Sequence, residues 1–119
     1  MGFKRWDIVR IPYPAGEKPA REHRPALVIV AGEIFKNHGL LWVLMVTSVK
    51  NRGWPGDVEV GDVMAAGLGV PSVVRTAKMM TVEGREAEVI GALLGAARRQ
   101  VSEQVFANMG LTGVTGPIG

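Results

Sequence analysis

Residues 6–13, WDIVRIPY, alternate in character. Ile8 and Pro12 fall on one side with Arg10; Asp7, Val9, Ile11 and Tyr13 fall on the other. A period of two reads as a strand. Residues 14–23, PAGEKPAREH, are polar, with two prolines and a glycine, and read as a loop. PALVIVA (25–31) is a continuous apolar run and predicts a strand buried on both faces. Pro25 cannot donate a backbone hydrogen bond, which assigns it to the first position of that strand and sets Arg24 at its lip. Residues 32–38 fit one helical turn. LLWVLMVTS (40–48) predicts a third strand, 49–57 a loop with a turn at Pro55–Gly56, and 58–60 a short strand. Residues 61–69 read as a short helix or turn. SVVRT (72–76) and KMMTV (78–82) predict strands on either side of Ala77, and 88–93 a last short one. Leu94, Ala97, Val101, Val105 and Met109 then form one apolar stripe at helical spacing. Gly110 suits the left-handed position after a helix end, whereas Gly95 weakens its start. Arg98 and Arg99 in the first turns carry the wrong sign for the helix dipole.

Five to seven short strands and one terminal helix predict a mainly β fold: a small, strongly bent barrel with a helix across it. The 119 residues suit one compact domain, assigned to 1–110, with a Gly-rich, frayed tail over 111–119. There is no internal repeat. The longest apolar run, 39–46, is strand-sized, so no membrane span is expected. The N-terminal MGFKRWDIV lacks a signal-peptide core, and Lys4, Arg5 and Trp6 fit a myristoylation site poorly. The absence of cysteine excludes disulfides and thiolate metal sites and points to a reducing cytoplasm.

Charge is uneven. Residues 1–52 hold nine Lys and Arg against four Asp and Glu, while residues 53–119 hold five against seven. A basic N-terminal half hints at a polyanionic partner, although a solvated surface has the same composition. Several residues stand out within it. Taken alone, Arg24 before a strand proline is more often half of a surface ion pair. Thr47–Ser48 is by itself a strand-end hydrogen-bonding pair. Trp54 lies between Gly53 and Pro55, near Lys50 and Arg52, and could stack a base or simply anchor its loop. Trp6 and Trp42 read as core or interface, and Met79 and Met80 as core. His23 and His38 are 15 residues apart with no carboxylate at ligand spacing, so no metal site is expected.

The ordered set WDIVRIPYP, a polar loop, RPALVIV, VTS and SVVRTAKMMTV resembles the MazF/PemK toxins of toxin–antitoxin pairs, over roughly residues 5–110. The resemblance implies an SH3-like barrel with a C-terminal helix, usually a homodimer. It implies metal-independent, sequence-selective cleavage of single-stranded RNA, with no cofactor. It also implies a cognate antitoxin whose flexible, acidic tail blocks the RNA groove. By position, Arg24 and Thr47 match catalytic residues of the family. Ser48 matches a serine near the phosphate, and Arg75 an arginine that the PemK branch places beside the scissile phosphate. Two positions depart. The PemK branch has an aspartate two residues after that arginine, where this chain has Ala77. It also has a histidine six residues before the Arg-Pro pair, where this chain has Lys18.

RNA cleaves itself when its 2′-OH attacks the adjacent phosphorus, which leaves a 2′,3′-cyclic phosphate. Catalysis needs a cationic clamp on the phosphoryl oxygens, a base for the 2′-OH and an acid for the leaving 5′-oxygen. The planar fork of Arg24 matches phosphate, Thr47 and Ser48 can donate hydroxyl hydrogen bonds, and Arg75 supplies a second fork. Lys18, Arg21, His23, Lys50, Arg52 and Trp54 are the candidate RNA contacts around that centre. The base is the weak point, because arginine stays protonated and Ala77 removes a carboxylate. Glu17, Glu22 and His23 are substitutes by proximity only. Two rival readings follow: an RNA-binding protein that has lost activity with that carboxylate, and a gyrase inhibitor like the CcdB branch of the same barrel. Against the second, residues 107–119 lack the aromatic that such inhibitors carry there.

Overall fold

The computed structural model describes residues 2–13 and 22–111. Among the described residues, six strands form one antiparallel sheet: β1 (Asp7–Tyr13), β2 (Glu22–Val30), β3 (Leu40–Ser48), β4 (Asp57–Glu59), β5 (Ser72–Glu83) and β6 (Glu88–Ala92). Their spatial order is β4-β5-β3-β2-β1-β6. Helix α1 (Gly32–His38) links β2 to β3, and α2 (Ala97–Asn108) follows β6. The mainly β class with a C-terminal helix is as expected. None of the helices among the described residues is long and apolar enough to cross a membrane.

The sheet carries a core on each face, which is why β2 and β3 are apolar without alternation. Ile8, Leu27, Leu44, Val46 and Val74 pack with Val101 and Val105 of α2 on one face. Val9, Ile11, Ala26, Val28, Val43 and Met45 pack on the other, with Phe35 of α1 against them. Register shifts in the β1–β6, β2–β3 and β3–β5 ladders bend the sheet.

Several boundaries differ from the sequence expectation. Strand β2 starts at Glu22, so Pro25 lies inside it and Arg24 is its third residue. The proline is tolerated because pairing with β3 begins only at Ala26↔Met45, which leaves β2 an edge on that side at Pro25. The two strands expected around Ala77 are one strand of 12 residues. The expected break survives as a bulge: Leu44 pairs with Met79 but Met45 with Arg75, so Thr76, Ala77 and Lys78 have no partner on β3. Segment 32–38 makes about two helical turns rather than one. The stripe of the last helix is buried only at Ala97, Val101 and Val105; Leu94 and Met109 lie outside α2 and are exposed. Met79, expected in the core, is exposed as well. At the helix end Gly110 has φ 74°, and the amides of Gly110 and Leu111 donate to the carbonyls of Ala107 and Phe106. This is a Schellman motif, and it needs the glycine. Residues 61–69 form turns, not a helix, with the Asp62 carboxylate accepting from the Ala65 amide. The rest of the first loop and the tail from residue 112 lie outside the described residues.

Candidate active site

Beyond Ala26↔Met45 the ends of β2 and β3 no longer pair. At these ends lies a cleft of about 420 Å³. It is lined by Arg10 of β1, by His23, Arg24 and Pro25 of β2, and by Val46, Thr47 and Ser48 of β3. Asn51, the segment Gly67–Val70, Ser72 and Ile90 complete its lining. The topology therefore unites the Arg-Pro pair and the Thr-Ser pair, which are 23 residues apart in sequence. Continuing the Ala26↔Met45 register by two residues sets Arg24 across from Thr47 on one face. Strand alternation assigns His23 and Ser48 to the other.

The Arg24 guanidinium is exchangeable. It pairs with Glu22 at 2.7 Å, with the two side chains 46% and 52% exposed. It also lies 4.7 Å from the ring centroid of Tyr13, whose hydroxyl receives a hydrogen bond from Lys78 at 3.2 Å. Arg10 pairs with Glu88 at 2.7 Å, again exposed. Such pairs contribute about 0–1 kcal/mol, so a phosphate can displace the carboxylate at little cost.

Arg75 differs. Its Nε and Nη2 donate to Asp57 at 3.2 and 3.0 Å, and Nη2 also donates to the Asn51 carbonyl at 2.6 Å. Its guanidinium stacks 4.3 Å from the ring centroid of Trp54. The side chains of Arg75 and Asp57 are only 11% and 9% exposed. Stripping a partner from a pair buried to this degree costs about 3–5 kcal/mol. Arg75 is not among the residues lining the cleft.

The two hydroxyls are arranged alike. Thr47 Oγ1 accepts from Asn51 Nδ2 at 3.0 Å, and Ser48 Oγ accepts from the Lys50 amide at 3.2 Å. The second bond caps a short 3-10 turn, Val49–Asn51. With an acceptor site on each oxygen filled, each hydroxyl keeps its proton to give.

The remaining candidates scatter. Lys50 and Arg52 are exposed on the loop after β3, Arg52 lying 3.9 Å from Glu59. Trp54 is half-exposed, with Arg75 stacked on its ring. His38 ends α1 and does not line the cleft. Lys18, Arg21 and Glu17 lie outside the described residues. Among the described residues no three His, Cys, Asp or Glu side chains cluster as metal ligands.

Sequence reasoning missed Arg10, Tyr13, Asn51 and Asp57. The hairpin register would have found the first two, since Arg10↔Pro25 and Tyr13↔Glu22 are cross-strand neighbours. Asn51 had a weaker signal, its place four residues after Thr47 in a tight turn.

The family described as PemK-like, MazF-like toxin of type II toxin–antitoxin system matches residues 4–111. A search of curated proteins gave no match. Among solved structures, a MazE–MazF complex from Deinococcus radiodurans is similar with a TM-score of 0.72 and 23% identity, over 94% of this chain and 99% of that one. The toxin MazF-mt6 of Mycobacterium tuberculosis gives a TM-score of 0.65 at 21% identity, over 87% and 96% of the two chains. An endoribonuclease in complex with its cognate antitoxin, from a mycobacterial species, gives 0.68 at 15% identity, over 95% and 97%. At these identities the structural likeness establishes the fold.

Proposed function

The chain belongs to the PemK-like, MazF-like toxins of type II toxin–antitoxin systems, and from that premise we propose that it is an endoribonuclease that cuts single-stranded RNA at selected sequences without a metal ion. The observation that carries this reading is the cleft that joins Arg24, Thr47 and Ser48, with Arg10 and His23 beside them. A phosphate entering it displaces Glu22 from Arg24 and takes the guanidinium fork. The Thr47 hydroxyl, on the face of Arg24, donates to the same oxygens, and Ser48, on the other face, lines the adjoining part of the cleft. The 2′-oxygen gives up its proton and attacks phosphorus, the bond from phosphorus to the 5′-oxygen breaks, and that oxygen takes a proton from water, so that the products are a 2′,3′-cyclic phosphate and a 5′-OH. Glu22, freed from Arg24 and on its face of the strand, is the carboxylate at hand to take the 2′-OH proton. Preorganised donors supply most of the rate.

Two partners belong to the same proposal. The exposed cations of the cleft suit a flexible acidic tail from a cognate antitoxin, which would compete with RNA in the cytoplasm. A homodimer would cover the exposed Trp42, Met79 and Met109, which border an apolar hollow of about 390 Å³. One alternative has an observation behind it. Ala77 is no carboxylate, and Arg75 is engaged by Asp57, so a protein that binds RNA without cutting it is the competing reading.

Incubating the purified protein with a long single-stranded RNA in EDTA, then mapping the new ends, tests the proposal. Cleavage at a recurring motif with 5′-OH ends is expected. Strict dependence on a divalent ion, or 5′-phosphate ends, contradicts it. Binding without turnover favours the alternative.

A further inference from the structure

A continuous chain of hydrogen bonds runs from the buried ion pair to the cleft. Asp57 holds Arg75 through both carboxylate oxygens; Arg75 Nη2 donates to the Asn51 carbonyl; Asn51 Nδ2 donates to Thr47 Oγ1. Asn51 sits at the end of the 3-10 turn that Ser48 caps, so its backbone is tied at both sides, by the turn and by Arg75. Only its side-chain amide is left to reach the cleft, and it meets Thr47 there.

We propose that Asn51 is a positioning residue, braced by Arg75 and Asp57, that fills a lone pair of the Thr47 hydroxyl and so aims its proton at the substrate phosphate. This rests on the ribonuclease reading, and it assigns Arg75 a different task from the one the resemblance implied. A hydroxyl that is free to rotate can present either a proton or a lone pair to a phosphoryl oxygen, and the lone pair repels it. A donor fixed behind the oxygen occupies one of its two lone pairs and biases that choice toward the proton before the substrate arrives, which is the preorganisation that electrostatic catalysis requires. Arg75 is suited to the brace because its fork engages Asp57 and the Asn51 carbonyl at once. A lysine ammonium has no such planar fork.

The test is a double-mutant cycle on single-turnover cleavage, with binding of the same RNA 2′-O-methylated throughout as a second readout. Asn51→Ala is expected to slow cleavage about tenfold, the factor for one lost hydrogen bond of ordinary strength. In a Thr47→Val background the same change should cost less than about twofold, because there is no hydroxyl left to orient. Arg75→Lys should follow the same pattern. If Arg75 instead grips the phosphate itself, its loss persists with Thr47→Val in place, and the brace is overturned. Equal losses for Asn51→Ala in both backgrounds overturn it as well. Asn51→Asp puts an acceptor where the donor stood, turns the Thr47 proton inward, and should fall below Asn51→Ala; parental activity in it contradicts the proposal. Thermal melts of each variant report folding separately, and Asn51→Ala leaves the ion pair intact. Should the parent bind RNA but not cut it, the ribonuclease reading fails alone, and the same cycle read on affinity for the methylated RNA decides the brace.

Discussion

Asp57 and Arg75 face each other across the β4–β5 ladder and are joined by two hydrogen bonds of 3.0 and 3.2 Å, both side chains nearly buried. Arg24 and Glu22, on one strand, make an ion pair just as short but half-exposed. Length does not separate these pairs; burial does. It makes Arg24 available to a ligand and commits Arg75 to the protein.

Removing Asp57 should therefore be costly to stability. Asp57→Ala leaves a nearly buried guanidinium unpaired, and a loss of about 3 kcal/mol is expected by urea denaturation. Glu22→Ala exposes no comparable penalty and should change stability by less than about 1 kcal/mol. Equal effects would contradict the contrast.

The wall of the cleft depends on close backbone contact. A Cβ on Gly91 would stand 2.3 Å from the Ala66 carbonyl carbon. Gly67, with φ 74°, packs against Ile90 from the other side, where a Cβ would stand 2.0 Å from the Ile90 carbonyl oxygen. Gly91→Ala should push the 61–70 segment away, destabilise by about 1–3 kcal/mol and slow cleavage. Calorimetry and a cleavage assay on the same preparation check both.

Restoring the carboxylate of the PemK branch should not restore a base. Ala77 is exposed within the three-residue bulge of β5 and does not line the cleft. Ala77→Asp is expected to leave the cleavage rate and its pH profile unchanged. A raised rate with a new carboxylate limb would show that the segment reaches the substrate.

The apolar face around Trp42 predicts self-association. Trp42→Glu with Met79→Lys should convert a dimer to a monomer without unfolding it. Sedimentation at roughly tens of micromolar is the check, where even a dimer of modest affinity is populated. A parent that is monomeric there contradicts the dimer.

The strands, the terminal helix and its Gly110 cap were legible because alternation, apolar runs and one glycine report local backbone needs. The bulge was legible only as a break at Ala77, since a register shift leaves a strand's own pattern intact. The start of β2 was misread because Pro25 marks a missing partner on one side, and the sequence does not say that β1 continues on the other. At the site, Arg24 and Thr47 could be named from the resemblance. Asn51 had only a weak local signal, four residues after Thr47, and Asp57 had none, because its partner is brought to it by the fold. The fate of Arg75 was hidden for the same reason: its cross-strand neighbour, 18 residues earlier, comes from a separate three-residue strand.

Single-turnover cleavage of one single-stranded RNA by Arg24→Ala, measured beside its affinity for the same RNA, tests the central claim most directly. The rate should fall by about 3 kcal/mol, on the order of a hundredfold or more. Affinity should fall far less, because other cations still hold the backbone. Arg24→Lys should recover little of the rate, since an ammonium lacks the planar fork. Cleavage by Arg24→Ala at the parental rate would contradict the account and return this arginine to an ordinary surface ion pair with Glu22.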